Sequence, residues 1–254
     1  MDKRLVARNF SRYAHLYDSY ADIQRKTAGR LLDCVKGGNF TNILELGCGT
    51  GNFTLSLRDK FRDTQIKALD ISRKMVEIAE KKLQGGNVEF IVSDAEEIAW
   101  PEKFDLVISH ACFQWLTDLE KALERCQGML KENGRIVFSA FGPLTFQELN
   151  VTLQSVLKSA PIQADFFLNK EDLKSALGKY FKETQIQETR YEEYFLSLKD
   201  LLYKIKYSGI RGSGIGNKKQ IGRRILEELE KDYLNRFSRI KATYQIFFCQ
   251  GRKI

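Results

Sequence analysis

A glycine-rich turn at residues 43–51, which reads ILELGCGTG, most constrains what this chain can fold into. The run Asn42–Leu46 is apolar enough for a short buried strand, and Asn52–Phe61 is predicted to be helical. A glycine-rich connection from a strand to a helix is typical of doubly wound α/β domains, where it lies at the carboxyl edge of a parallel sheet. Ligands of such domains bind at that edge.

Strand and helix patterns continue to alternate beyond this turn. The predicted strands are 65–70, 88–92, 104–109 and 135–141, and the predicted helices between them include 73–83 and 118–130. This alternation predicts an α/β fold with a doubly wound parallel sheet and right-handed crossovers.

Helical patterns flank the alternating region on both sides. Before it, Phe10, Tyr13, Tyr17 and Tyr20 recur at helical spacing within residues 1–36. After it, helices are predicted at 145–158, 170–177, 197–207 and 218–233, and strands at 183–196 and 242–249. We interpret 197–235 as a helical insertion between the last two strands rather than a second domain.

Composition narrows the class of protein. The 254 residues include 43% hydrophobic residues, which is enough for a core, and 41 basic against 33 acidic residues give a net charge of +8. That charge favours an anionic partner, but no run of five or six basic residues indicates nucleic-acid binding. The five cysteines are scattered without a CxxC pair, so we expect no disulfide framework and no metal site. No secretory signal or bilayer-spanning run is recognisable, and we expect a cytoplasmic protein with no membrane role.

The acidic residue before the glycines limits which ligands the turn could bind. A dinucleotide fingerprint has the spacing GxGxxG and places a pyrophosphate at the helix N-terminus. Here Gly47, Gly49 and Gly51 form GxGxG, and Glu45 lies two residues before the first glycine. A carboxylate there repels a pyrophosphate but tolerates a cationic sulfonium and an α-amino group, while the glycines let a ligand approach the backbone. We therefore predict S-adenosylmethionine rather than a dinucleotide.

Polar residues at the ends of the next strands support the prediction that the ligand is a nucleoside. Asp70 ends a strand, where its carboxylate can accept hydrogen bonds from two ribose hydroxyls, and Asp94 follows the next strand, where it can accept from an adenine amino group. The strand 104–109 brings Ser109 and then His110 to the same edge. A single strand-final Asp is often only a helix cap. The ordered set predicts a binding site.

The motifs ELGCGTG, LDIS, SDAEEI, FDLVISHACFQWL and LKENGRIVFSAFG, within about residues 40–142, together resemble class I S-adenosylmethionine-dependent methyltransferases. The resemblance implies a Rossmann-like sheet of seven strands whose last strand is antiparallel. It implies a single domain, 1–254, with a helical cover (1–38), a cofactor-binding core (40–142), a helical insertion or lid (197–235) and a last strand (240–250). The cofactor-binding residues that we predict are Gln24, Glu45, Gly47, Gly49, Gly51, Asp70, Ile71, Met75, Asp94, Ala95 and Ser109.

Further motifs along the chain are similar to the malonyl-acyl-carrier-protein O-methyltransferases of biotin synthesis. They are FSRYAHLYDSYADIQ (10–24), FQWL (113–116), FSAFGPLTFQEL (138–149) and TYQIFF (243–248). The resemblance implies that the enzyme esterifies the free carboxylate of a malonyl thioester on acyl carrier protein, or of malonyl-CoA. An acidic carrier would suit a basic enzyme. The chain departs from the family at His110, where Asn is expected, and in the loop 210–217.

A carboxylate acceptor is consistent with a sequence that has only two histidines to act as a general base. Malonate-type carboxylates are ionised at pH 7, so alignment and desolvation are sufficient and no general base is required. We predict Tyr17, which matches the family's active-site tyrosine, and His110 as catalytic residues, and Phe113, Lys206 and Arg211 as substrate-binding residues.

Simpler interpretations of these residues remain. Tyr17 and Phe113 could only pack, His110 could be structural, and either basic residue could belong to a solvated surface. The glycine-rich loop 208–216 is interpreted as a mobile lid. Two alternative functions stay open at this point: methylation of a free small carboxylic acid, and binding of S-adenosylmethionine without turnover. A nucleic-acid methyltransferase is disfavoured because no [DN]PP[YF] element follows the fourth strand. The oligomeric state is not predicted.

Overall fold

A seven-stranded sheet runs through the computed structural model, which describes residues 2–158, 162–208 and 222–254. The strand order is β3-β2-β1-β4-β5-β7-β6, with β1 to β5 parallel and β7 antiparallel to both of its neighbours. This arrangement confirms the predicted doubly wound sheet and its antiparallel last strand. The strands are β1 (Asn42–Leu46), β2 (Gln65–Asp70), β3 (Val88–Val92), β4 (Phe104–Ser109), β5 (Leu130–Phe141), β6 (Phe181–Phe195) and β7 (Ile240–Lys253).

Helices cover both faces of this sheet. They are α1 (Lys3–Tyr20), α2 (Asp22–Cys34), α3 (Asn52–Lys60), α4 (Arg73–Lys82), α5 (Leu119–Met129), α6 (Gln147–Leu157), α7 (Lys170–Tyr180), α8 (Leu198–Tyr207) and α9 (Arg223–Phe237), with short 3₁₀ turns at Phe113–Trp115 and Gln163–Phe166. As expected, α8 and α9 lie between β6 and β7. Arg211 and most of the predicted lid loop fall outside the described residues. None of the described helices is long and apolar enough to cross a membrane.

The sheet separates two hydrophobic clusters. On β1, Ile43 belongs to the cluster that includes Leu31 of α2, whereas its neighbour Leu44 belongs to the cluster that includes Leu123 of α5. Successive side chains of a strand point to opposite faces, so a parallel strand buried on both faces is apolar at nearly every position. The turn after β1 is therefore held rigidly at the carboxyl edge of the sheet.

The structure differs from the predicted elements at two places. The helical run of the N-terminal residues is interrupted twice: α1 is kinked at Tyr13 (φ −115°, ψ 15°), and Ala21 (φ −95°, ψ 37°) separates α1 from α2. The predicted helix 118–130 ends at Met129, since Leu130 already pairs with Phe104 of β4. Tertiary pairing overrides the local helical pattern there.

Candidate cofactor and acceptor site

The glycine-rich turn adopts a backbone that disfavours other residues. Gly47, Gly49 and Gly51 all have positive φ, at 77°, 54° and 81°. The backbone N–H groups of Gly47 and Cys48 both donate to the carbonyl of Leu69 at 2.8 Å, which anchors the turn to the end of β2. Left-handed conformations are strained for residues that carry a Cβ, so this spacing of glycines follows from the path of the turn.

The three glycines nevertheless serve different purposes. A Cβ on Gly47 would lie 2.6 Å from Cys112, and one on Gly51 would lie 2.9 Å from the Cβ of Ala79 on α4. A Cβ on Gly49 would meet nothing within 4 Å, and Gly49 lines two cavities. Gly49 therefore leaves room beside a ligand, whereas Gly51 lines neither cavity and permits packing against α4. Cofactor binding by Gly51 stays a prediction.

Asp70 stands at the end of β2 with both oxygens engaged. Its Oδ2 accepts the N–H of Gly49 at 2.9 Å, and its Oδ1 accepts the N–H of Ser72 at 2.8 Å. Burial raises the pKa of Asp70, and the two backbone N–H groups oppose that rise. Each carboxylate oxygen can accept a second hydrogen bond. The side chain also lines the first cavity, so it is placed to accept from two ribose hydroxyls.

Glu45 is fully buried on β1, and neither of its carboxylate oxygens has a hydrogen-bond partner. Burial raises the pKa of Glu45 to about 8, and the charge of Asp70 acts in the same direction. The hydroxyl of Thr54 opposes this rise without reaching hydrogen-bond geometry. A cation nearby would favour the ionised carboxylate. Glu45 lines neither cavity, and its role as a cofactor-binding residue stays a prediction.

The first cavity is a cleft open to solvent, with about 750 Å³ of empty space between α1 and the carboxyl edge of the sheet. The structure brings together most of the predicted cofactor residues here. The predicted residues that line it are Tyr17, Gly47, Gly49, Asp70, Ile71, Met75, Asp94, Ala95 and His110. Apolar side chains that include Phe10 and Trp115 form another part of its wall, with their rings edge to face at 5.7 Å. Such a wall excludes water from whatever lies beside it.

The second cavity, also open to solvent, has about 850 Å³ of empty space beside α2 and the start of α3. It is lined by Gln24 and Arg25, among others, and the Oε1 of Gln24 is buried without a partner. Four residues line both cavities: Tyr17, Gly47, Gly49 and His110. The two cavities therefore adjoin at Tyr17 and His110, the two predicted catalytic residues.

Tyr17 and His110 are both neutral at pH 7. Burial, followed by the charges of Asp70 and Asp18, raises the pKa of the Tyr17 phenol, so the phenol keeps its proton. Burial lowers the pKa of His110 to about 4. The His110 ring stacks on Phe53, with centroids 5.0 Å apart.

The hydroxyl of Thr27 is the hydrogen-bond partner of His110. It lies 3.0 Å from Nε2 of His110 and 2.9 Å from the backbone carbonyl oxygen of Ile23. The hydroxyl has one proton, so it donates either to the carbonyl, with Nε2–H of His110 as donor to Thr27, or to Nε2 itself. In both arrangements the contact holds the imidazole ring against α2.

Asp94 has a partner that the sequence did not indicate. The Nζ of Lys3 lies 2.6 Å from both Asp94 Oδ2 and Glu96 Oε2. Glu96 is buried and also accepts the N–H of Asp118 at 2.7 Å. Asp94 keeps lone-pair capacity for an amino group. The start of α1 is therefore tied to the adenine edge of the predicted site.

The other end of α1 is also attached across the cavities. Asp18 Oδ1 accepts from the hydroxyl of Thr50 at 2.5 Å and from Nδ2 of Asn52 at 2.9 Å, and its Oδ2 accepts from Lys82 at 2.8 Å. In the middle of the helix, the hydroxyls of Ser11 and Ser72 are 2.8 Å apart. Contacts near the start, in the middle and near the end of α1 thus hold this helix over the site.

Three further predicted residues do not reach either cavity. Ser109 is buried and donates to the carbonyl of Leu46 at 2.7 Å, so it braces β4 against the end of β1. Phe113 is buried and stacks on Phe138, with centroids 3.9 Å apart, in the core on the α5 side. Lys206 lies over the ring of Tyr207 instead. The assignments of Ser109 to the cofactor and of Phe113 and Lys206 to the substrate stay predictions.

Sequence reasoning missed Lys3 and Arg25 as lining residues. Lys3 lies far from every motif, and no local signal indicates it. Arg25 lies on α2, and the break at Ala21 means that its spacing from Tyr17 on α1 gives no helical signal for it.

Solved structures show the same fold. The N-methyltransferase NodS from Bradyrhizobium japonicum WM9, in complex with S-adenosyl-L-homocysteine, superposes with a TM-score of 0.55 at 15% identity, covering 98% of each chain. Phosphoethanolamine N-methyltransferase 2 from Haemonchus contortus, in complex with S-adenosyl-L-methionine, gives a TM-score of 0.63 at 16% identity, covering 96% of this chain and 57% of that one.

Sequence comparison identifies the family to which the chain belongs. Residues 44–138 match a family model described as a methyltransferase domain. A malonyl-[acyl-carrier protein] O-methyltransferase from Acetivibrio thermocellus is 32% identical over 270 residues, covering 100% of this chain and 95% of the relative. A second, from Ilyobacter polytropus, is 34% identical over 256 residues, covering 100% and 94%. Identity of this level over the whole length, together with the fold and the glycine-rich turn, shows that the chain belongs to the malonyl-[acyl-carrier protein] O-methyltransferase family.

Proposed function

We propose that this chain is an S-adenosylmethionine-dependent carboxyl O-methyltransferase that esterifies the free carboxylate of a malonyl thioester on acyl carrier protein, in the synthesis of a biotin precursor. The observation that carries the proposal is the pair of adjoining cavities. One holds the acids suited to a nucleoside, the other holds polar groups of α2, and they share Tyr17 and His110. The proposal implies a cytoplasmic enzyme without a role at membranes or nucleic acids.

The described residues fit S-adenosylmethionine. Asp70 is available to ribose hydroxyls, Gly49 leaves open space at the turn, and the unpartnered carboxyl of Glu45 suits a nearby positive charge. In the second cavity, Gln24 and Arg25 are suited to the amino and carboxylate groups of a methionyl end. When bound, this cofactor supplies an electrophilic methyl group on a positively charged sulfur.

The polar residues shared by the cavities favour an acceptor that is already ionised. The phenol of Tyr17 keeps its proton, and an imidazole whose pKa is about 4 is a weak base, so neither is suited to remove a proton at pH 7. Phenol and amine acceptors usually need such a base, whereas a malonyl carboxylate does not. Tyr17 would instead donate a hydrogen bond to the carboxylate and orient it, and the wall that includes Phe10 and Trp115 would exclude water.

The proposal is tested by methyl transfer from labelled S-adenosylmethionine. Purified protein is incubated with malonyl acyl carrier protein, malonyl-CoA or free malonate, and base-labile methyl ester is counted. We expect transfer to the thioesters with a strong preference over free malonate. Preference for free malonate or another small acid would favour the first alternative function. Tight binding of the cofactor in a thermal-shift assay, without transfer to any acid, would favour a non-enzymatic binding protein.

A further inference from the structure

Tyrosine rings and cations gather where the C-terminal end of α8 meets α1. Tyr207 packs against Tyr13, Tyr20 and Tyr203, with ring centroids 5.3, 5.0 and 5.9 Å apart. Lys206 and Arg12 each lie over the ring of Tyr13 at 5.8 Å, and Lys206 also lies 5.0 Å from that of Tyr207. We name this group the tyrosine–cation cluster; its members are Arg12, Tyr13, Tyr20, Tyr203, Lys206 and Tyr207.

The two positive charges of the cluster are not neutralised by the described part of the chain. Lys206 and Arg12 lie at the same distance from one ring centroid, so they are no more than 11.6 Å apart. Neither forms an ion pair with any acidic side chain in residues 2–158, 162–208 or 222–254. That bound exceeds the Debye length of about 8 Å, beyond which the repulsion between exposed charges is largely screened. The absence of an acidic partner in the described residues leaves both positive charges available to an anion.

A neighbouring lysine shows what a structural cation looks like in this helix. Lys204 is buried, and it forms ion pairs with Asp22 and, at 2.9 Å, with Glu193. Lys206 is only two residues away and half-buried, yet it has aromatic rings instead of acids around it. Aromatic faces hold a cation in place without cancelling its charge. The cluster therefore presents oriented positive charge.

The cluster lies beside the candidate site, although none of its six residues lines either cavity. Tyr13 and Tyr20 lie four residues before and three residues after Tyr17 on α1, whose backbone is kinked at Tyr13 (φ −115°, ψ 15°). Tyr17 lines the cavities, while Tyr13 and Tyr20 contact Tyr207. Helix α1 therefore connects the cluster to the residue at which the two cavities adjoin.

We propose that the tyrosine–cation cluster binds the phosphate of the 4′-phosphopantetheine arm on which the malonyl thioester is carried. This inference rests on the proposed function, because the arm is common to acyl carrier protein and to coenzyme A. Lysine and arginine both bind phosphate, and tyrosine hydroxyls can donate hydrogen bonds to its oxygens. Recognition of the phosphate would position the thioester by a feature that free small acids lack.

The test compares substrates that differ only in the phosphate. The ratio of kcat/KM for malonyl-4′-phosphopantetheine to kcat/KM for malonyl-pantetheine is measured in the wild type and in the double variant Arg12→Gln/Lys206→Gln. We expect this ratio to fall about tenfold in the double variant, which is the size of one lost charge-assisted contact. Lys174→Gln is the matched control, because Lys174 is exposed on α7, which packs on the other face of the sheet. We expect the Lys174→Gln variant to have the wild-type ratio of kcat/KM values. An unchanged ratio in the double variant would overturn the inference.

Binding without turnover separates this inference from the proposed function. Calorimetry measures 4′-phosphopantetheine and pantetheine against the same proteins in the presence of S-adenosylhomocysteine. We expect phosphate-selective binding that is weakened in the double variant and retained in Lys206→Arg. If the wild type methylates no malonyl thioester, the proposed function fails, whereas absence of phosphate-selective binding sinks the inference itself. The double variant must also show the wild-type thermal shift with S-adenosylhomocysteine, which confirms that it folds.

The source of the arm is then compared directly. Malonyl acyl carrier protein and malonyl-CoA share the phosphate next to pantetheine, so the double variant should lose a similar factor with both. A loss confined to the carrier protein would mean that the cluster contacts the protein surface of the carrier. A loss confined to malonyl-CoA would mean that it contacts the nucleotide. Either result overturns the assignment to the phosphate of the arm.

Discussion

Replacement of Asp70 by Asn tests the assignment of the nucleoside cavity. The two oxygens of Asp70 accept the backbone N–H groups of Gly49 and Ser72 at 2.9 and 2.8 Å. An Asn amide has one oxygen and one NH₂ group, so it can accept only one of these bonds and faces the other N–H with a donor. The variant therefore loosens the turn and also loses the negative charge that ribose hydroxyls would contact.

The expected magnitude follows from those contacts. A hydrogen bond to a charged group contributes about 1.5–3 kcal/mol, against about 0.5–1.5 kcal/mol for a neutral pair. Two ribose contacts that lose charge assistance, together with a turn that is less well held, should cost about 2–3 kcal/mol of binding free energy. This corresponds to a Kd for S-adenosylhomocysteine that rises roughly 30- to 150-fold.

Calorimetric titration with S-adenosylhomocysteine measures the effect, and Asp105→Asn is the matched control. Asp105 also accepts two backbone N–H groups, those of Thr41 and Asn42 at 2.8 and 2.9 Å, and it forms an ion pair with Lys131. It stands at the opposite edge of the sheet, at the start of β4. Asp105→Asn should lower the free energy of unfolding without changing the Kd. An affinity of folded Asp70→Asn within twofold of the wild type would refute the placement of the nucleoside.

Three other changes have defined outcomes. Tyr17→Phe keeps the ring contact with Phe10 but removes the hydroxyl. The kcat with malonyl acyl carrier protein should therefore fall about 10- to 100-fold, while the Kd for S-adenosylhomocysteine stays unchanged. Unaltered turnover would mean that Tyr17 only packs against its neighbours. Lys3→Gln removes the contacts to Asp94 and Glu96, so amide hydrogen exchange in the first turns of α1 should accelerate up to about tenfold, and equal exchange rates would argue against the attachment. The pKa of His110 is lowered to about 4 from 6.5, so the unfolded chain binds the proton first and stability falls as the pH drops from 6.5 to 4. Urea unfolding should show that this loss, about 3 kcal/mol at most because the ring lines a cavity, is absent in His110→Asn.

The sequence determined the sheet and the position of the site. Parallel strands joined by right-handed crossovers bring successive carboxyl ends to one edge, so Asp70 and Asp94 could be assigned to a shared cavity from their places at strand ends. The choice of Tyr17 came from its match to the family's active-site tyrosine, since the helical stripe by itself is equally compatible with packing. The assignment of the two acids needed only local periodicity and the chirality of the chain.

Only the tertiary structure decided how those residues are used. Lys3 reaches Asp94 across 91 residues and Thr27 reaches His110 across 83, and no local pattern encodes either contact. Phe113 and Ser109 stand beside the site in sequence, yet one side chain turns into the core and the other bonds the end of β1. Periodicity specifies the face on which a residue of a regular element lies, but not the long-range partner that it meets nor the direction of a side chain where the element ends. Those are set by packing between distant segments.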